Sequence, residues 1–259
     1  MKTVIATRYV TPLREGGSLP AIVEGDDCGL YVVKFRGAGH GAKALIAEMV
    51  TGELARRAGL RVPEIARVEV GPELGRNEPD SEIRDLLKAS VGLNVGLDYL
   101  PGSVTFDPAV PPAPDADEAS ALVWFDAFTS NVDRTPRNPN LLVWHRRLWL
   151  IDHGSSLYFH HAWDEAGTHA RAPFAAIRDH VLLPWATALA AAGERLAARL
   201  TRAAIADVLA EVPDEWLAED HRFASAGAVR DAYADHFARR LDAAAIFLEE
   251  AERARTAVV

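Results

Sequence analysis

Two kinds of hydrophobic periodicity, divided by a proline-rich stretch, limit what this chain can fold into. In the first third the apolar residues come in short runs, VIATRYV, PAIVEG and LYVVKF, separated by the glycine-bearing segments REGGS and EGDDCG. Short runs with such punctuation read as strands joined by turns, and predict a small antiparallel sheet. From about Ala42 to Ala58 the period changes, with Leu45, Met49, Val50 and Leu54 at near-helical intervals and Gly59 suited to end a helix. IARVEV and SVGLNVGLDYLPG are again strand-like. Residues 107–116, DPAVPPAPDA, disfavour regular structure and mark a join. Beyond them the pattern is helical: Leu122, Phe125 and Phe128, then Leu200, Ala204, Ile205, Val208 and Leu209, and in a last helix Tyr233, Phe237, Leu241, Ala244 and Leu248. NLLVW and LWLID form two short strand-like pieces after the first of these helices. The expectation is an α+β chain, with a β-rich part carrying one helix over about residues 1–100 and a mainly helical part over 101–259.

The chemistry concentrates in NVDRTPRNPNLLVWHRRLWLIDHG, which sets Asp133, Asn138 and Asp152 in a loop, strand, turn, strand sequence behind a helix. All three carry oxygen ligands, which suit a hard cation such as Mg²⁺, and phosphoryl transfer also needs a carboxylate to orient the attacking hydroxyl. Protein-kinase active sites meet both needs with an Asp, an Asn five positions on, and a metal-binding Asp after a short hairpin. Asp152 follows Asp133 by nineteen positions, enough for that hairpin. Lys34 ends the strand VVKF, where a phosphate-binding lysine would stand, and the following helix offers Glu48 as its acidic partner, with Glu53 competing. A lysine at a strand end, or an Asp-x-x-x-x-Asn pair, is by itself explained by an edge position or a plain loop. In this order and with these elements around them, the four residues predict a phosphotransferase.

The core Asn-x-Asp-Arg-x-x-x-Asn, followed by LIDHG, resembles the HipA-like kinases and, more distantly, the type II phosphatidylinositol 4-kinases. The segment IAEMVTGELARRAGLRVPE is similar to the HipA-type helix after the lysine strand. The resemblance spans roughly residues 30–156 and implies a two-lobed protein-kinase-like fold with ATP in the cleft. It also implies that Lys34 binds phosphates, Glu48 pairs with it, Asp133 is the catalytic aspartate, and Asn138 and Asp152 hold Mg²⁺. The stretch LDYLPG, with Asp98, Tyr99 and Leu100, would be the hinge that meets adenine through backbone groups. The acceptor it implies is a protein Ser or Thr hydroxyl. A lipid or small-molecule alcohol, a degenerate nucleotide-binding regulator, and transfer of AMP in place of phosphate are the competing readings. Two departures mark an atypical kinase: Asp152-His153-Gly154 stands where protein kinases have Phe in the middle, and Arg134 directly follows Asp133. The nucleotide-covering loop lacks a full G-x-G-x-x-G. Its candidate is Gly16, Gly17 and Ser18, which an ordinary hairpin turn explains equally well, and Gly37 to Gly41 reads as a flexible connection after Lys34. Residues 155–183 occupy the place of an activation segment.

Composition removes other classes. A net charge of −9 and a pI near 5.5 leave no broad basic surface, so nucleic acid is not an expected partner. No run of eighteen apolar residues occurs and the start, MKTVIATRYV, lacks a signal-peptide core, so no membrane span and a cytoplasmic location are expected. The one cysteine, Cys28, has no partner for a disulfide, and His160, His161 and His169 match no zinc spacing. The six tryptophans, Trp124, Trp144, Trp149, Trp163, Trp185 and Trp216, read as packing residues.

Overall fold

The structure, a computed structural model, describes residues 1–13, 19–39, 41–76, 78–163 and 167–258. Five strands close into a small barrel in the order β1-β2-β3-β5-β4: β1 (Thr3–Pro12), β2 (Ala21–Gly25), β3 (Leu30–Lys34), β4 (Ile65–Val70) and β5 (Gly92–Asp98). Alternation sets which face is buried. In β2, Ala21, Val23 and Gly25 point inward between half-exposed neighbours, and in β3 Tyr31 and Val33 do the same. The expected sheet was antiparallel throughout, whereas β1 pairs antiparallel with β2 and parallel with β4. That parallel pairing closes the barrel and leaves β1 no free edge.

Between β3 and β4 lies α1 (Gly41–Ala58), and a second helix, α2 (Ser81–Ala89), precedes β5. The sequence reading placed one helix in this part, so α2 is a correction. It is short, but Asp80 caps it by accepting from the Glu82 amide at 2.9 Å, and Ile83 and Leu87 seal the end of the barrel. Gly37 lies against it, where a Cβ would come within 2.6 Å of the Ala89 Cβ. The barrel interior and α2 form a small core of their own.

The larger core begins with α1, whose Leu45, Met49, Val50 and Leu54 are all at most 1% exposed. It continues through α3 (Ala116–Thr129), α4 (Leu189–Ala197), α5 (Arg202–Ala210), α6 (Asp214–Leu217), α7 (Ala226–Asp242) and α8 (Ala244–Val258). The single last helix expected over Tyr233 to Leu248 is two, broken at Ala243, whose backbone leaves the helical region. α3 is buried on every side, with Trp124 stacked on Phe128 and edge-on to Phe247. The α5–α6 segment braces the back of the β-rich part: Trp216 donates to the Leu93 carbonyl at 3.2 Å, and Arg36 meets Glu219 at 2.6 Å. A small sheet of β6 (Val104–Thr105), β7 (Leu141–Trp144) and β8 (Arg147–Leu150) lies beside the cleft, and its β7–β8 hairpin turns on two residues with positive φ, His145 and Arg146.

Candidate active site

The β-rich and helical parts meet around a cavity of about 820 Å³. Val32, Leu97, Leu142 and Ile151 line it with apolar surface, and Lys34, Asp98, Asn138, Asn140 and Asp152 bring polar groups to it. Tyr99 and Leu100, which follow β5 on the way into the helical part, border the same space. Gly16, Gly17 and Ser18 lie outside the described residues.

Lys34 comes to this cavity because it is the last residue of β3, with Val33 pointing into the barrel beside it. Its Nζ lies 2.6 Å from Glu48 Oε2 and 2.5 Å from Asp152 Oδ1. Glu48 is fully buried on α1 and also accepts the His153 amide at 2.7 Å. Glu53, the competing partner in the sequence, instead pairs with Arg56 one turn along the same helix, at 3.5 Å. Burial alone would pull the Lys34 ammonium down, but Glu48 and Asp152 outweigh it and its pKa is raised. Burial likewise raises the Asp152 carboxyl, and Lys34 reverses this to leave it below the ordinary carboxylate range. Asp152 adopts a positive φ of 55°, a turn that lifts its carboxylate out of the β8 line and towards the lysine.

Asp133 does not line the cavity itself. Its Oδ2 accepts from Asn138 Nδ2 at 2.9 Å and from Asn140 Nδ2 at 3.3 Å, and both asparagines do line it. Asn140 was not singled out in the sequence, yet it is the more firmly held of the two, buried and donating to the Asp133 carbonyl at 2.8 Å. The available signal was position, since Asn140 is the last polar residue before LLVW. His153, in the place of the usual Phe, is wholly buried under α1, and burial pushes its ring down to about 3, so it is neutral. His160 donates to or accepts from the Tyr233 hydroxyl at 2.8 Å within the helical part.

A cavity with this lysine–glutamate pair, an Asp–Asn loop and a carboxylate after a hairpin is the geometry of a kinase cleft. The model of the HipA-like kinase family matches residues 6–244. The chain belongs to the HipA-like kinase family. Among solved structures it is similar to the Helicobacter pylori proinflammatory kinase CtkA, at 12% identity and a TM-score of 0.54, over 99% of this chain and 98% of that one. A second similar structure, the Golgi casein kinase, has 13% identity and a TM-score of 0.49, over 97% of this chain and 72% of that one. A comparison with curated protein sequences gives no match. The fold is thus that of a kinase, with a small β-rich part and a helical part, and no helix among the described residues is long and apolar enough to cross a membrane.

Proposed function

We propose that this HipA-like kinase transfers the γ-phosphate of ATP to an alcohol hydroxyl, with a protein Ser or Thr as the acceptor and Mg²⁺ as the cofactor. The observation that carries this reading is the Lys34 ammonium bridged between buried Glu48 and Asp152 on the wall of a nucleotide-sized cavity. A lysine so held presents a fixed positive charge to phosphate oxygens, and its cost of ordering has been met before the nucleotide arrives. The apolar surfaces of Val32, Leu97, Leu142 and Ile151 suit an adenine ring, next to the backbone of Asp98, Tyr99 and Leu100.

The donor set fits a hard cation. Asp152 offers a carboxylate, and Asn138 and Asn140 offer amide oxygens at the same cavity, with no sulfur or imidazole among them. When bound there, Mg²⁺ supplies charge neutralisation to the phosphates. In this reading Asp133 serves the acceptor. Both asparagine amides donate to its Oδ2, which fixes the carboxylate plane and leaves Oδ1 to take the hydroxyl proton or align the hydroxyl.

The test is Asp133→Asn. A carboxylate that touches only the attacking hydroxyl acts in the transition state, so the variant should bind Mg²⁺-ATP as the wild type does while ATP turnover falls about a hundredfold or more. Calorimetric titration beside an ATP-hydrolysis assay reads both without an identified acceptor. Lost nucleotide binding would move Asp133 to the metal, and normal turnover would remove it from the reaction.

A further inference from the structure

The residue after the proposed catalytic aspartate is wholly buried. Arg134 is 1% exposed, and its Nε lies 2.5 Å from Oδ2 of Asp126, a carboxylate on α3 that is 0% exposed. Its Nη1 donates to the Asn140 carbonyl, just before β7, and at 3.5 Å to the Ile151 carbonyl, one residue before Asp152. Asp126 does more than pair with the arginine. Its Oδ1 accepts from Asn131 Nδ2 at 3.1 Å, and the Asn131 side-chain oxygen in turn accepts the Asp133 amide at 3.1 Å. One carboxylate and one guanidinium therefore reach the backbone on both sides of Asp133 and in front of Asp152.

A third element closes the network. His180 Nε2 lies 2.9 Å from Asp126 Oδ2, and its Nδ1 accepts the Leu182 amide at 3.0 Å. A ring nitrogen that accepts an amide carries no proton, so the proton is on Nε2 and His180 is a neutral donor to Asp126. The Val181 amide also donates to the Arg134 carbonyl, at 2.9 Å, which ties the 180–182 segment to the same loop. Burial by itself would raise the Asp126 carboxyl; among the described residues the Arg134 guanidinium and the His180 ring act against that effect, and together they hold it well below the ordinary carboxylate range.

In kinases controlled by phosphorylation, activation loops are ordered by new arginine–phosphate pairs. Arg134 already has its carboxylate, Asp126, inside the protein, and its guanidinium also reaches the Asn140 and Ile151 carbonyls on two further segments. We infer that Asp126 and His180 are positioning residues for phosphoryl transfer: the buried Asp126–Arg134 pair, latched by His180, holds the Asp133–Asn140 loop and the Asp152 loop in register, so that the site is ordered without phosphorylation of the segment after Asp152. This rests on the reading of the site as an ATP-dependent kinase.

Removing one partner of a buried ion pair leaves an unpaired charge and endangers folding, whereas exchanging both for apolar residues of similar volume is tolerated. The primary variant is therefore the double replacement Asp126→Leu with Arg134→Met. It should unfold at a temperature close to that of the wild type and bind Mg²⁺-ATP within about threefold, while kcat for ATP turnover falls about a hundredfold, because loops free to shift by an ångström lose the reacting geometry. Amide hydrogen exchange over residues 131–140 and 150–157 should accelerate in the same variant. For the latch, His180→Leu should lower kcat, and His180→Gln, which keeps a donor, should restore most of it. Wild-type protein treated with a broad-specificity phosphatase, and shown by intact mass to carry no phosphate, should keep its initial rate. Unchanged exchange and unchanged kcat in the double variant would overturn the inference, as would a tenfold loss on dephosphorylation. A wild type without Mg²⁺-ATP turnover, but with the exchange difference between it and the double variant intact, would instead refute the kinase reading and leave the positioning of the loops standing.

Discussion

Lys34 and Glu48 should behave as one unit, and the size of their coupling follows from the contact. At 2.6 Å, and with an effective permittivity near 20, their attraction is about 6 kcal/mol before desolvation is subtracted. Breaking a buried pair by removing one partner costs about 3–5 kcal/mol of folding stability. Lys34 has a second anchor in Asp152, at 2.5 Å, which moderates that cost. In catalysis, losing one preorganised charge contact costs about 10²–10³ in rate, so Glu48→Gln, which preserves volume and can still accept the His153 amide, should lose about 150-fold in kcat/KM for ATP, or about 3 kcal/mol of transition-state stabilisation. Lys34→Ala removes the charge itself and should cost about 10²–10³. If Glu48 acts only by placing the lysine, the double variant should be no worse than Lys34→Ala, giving a coupling energy near the whole Glu48 effect, about 3 kcal/mol. Initial rates of Mg²⁺-dependent ATP hydrolysis for the four proteins, each checked for an intact thermal transition, measure it. Losses that multiply, to about 10⁴–10⁵ in the double variant, would refute the argument and give Glu48 a role independent of Lys34.

Asp152→Asn should nearly abolish Mg²⁺-dependent turnover with little change in stability, because the carboxylate stands at the cleft and not in a core contact; turnover at the wild-type level across a magnesium titration would sink its assignment as a ligand. Acidification should destabilise the fold well above the carboxylate range. Burial, with Arg240 adding to it, pushes the His236 ring down to about 3, and burial also lowers His160 and His180. Their unfolded values lie near 6.5, so below that pH the unfolded chain binds protons that the native state does not, and stability drops as pH falls, for His236 by up to about 1.4 kcal/mol per unit between 6.5 and its folded value, with His160 and His180 adding in the same direction. Denaturant midpoints at pH 7.5 and 5.5 read this, and equal midpoints would show that these rings titrate normally in the fold.

Much of the arrangement of the candidate site was legible because it depends on local spacing. A strand ending in Lys34, a helix starting soon after with Glu48 on its first turns, and an Asp, an Asn and a second Asp divided by a hairpin are all patterns within short windows. Strand alternation and helical period dictate which side chains turn inward, and this is why the order of elements could be read before any contact was known. What was illegible depends on partners far apart in the chain. The parallel pairing of β1 with β4 joins residues more than sixty positions apart, Thr3 with Arg67 and Val4 with Val68, and no local signal distinguishes it from an antiparallel meander. α2 was missed because nine residues between glycine- and proline-bearing turns carry too short a period to stand out. The choice of Glu48 over Glu53 was decided by tertiary structure, since both lie on α1 and the way the helix sits in the fold sets Glu48 beside Lys34 and leaves Glu53 to Arg56. The same holds for Asp126, Arg134 and His180. By type they are surface residues, and they are buried because each satisfies the others, 54 and 8 positions apart, in a space that exists only once α3, the loop after it and the 180–182 segment have come together.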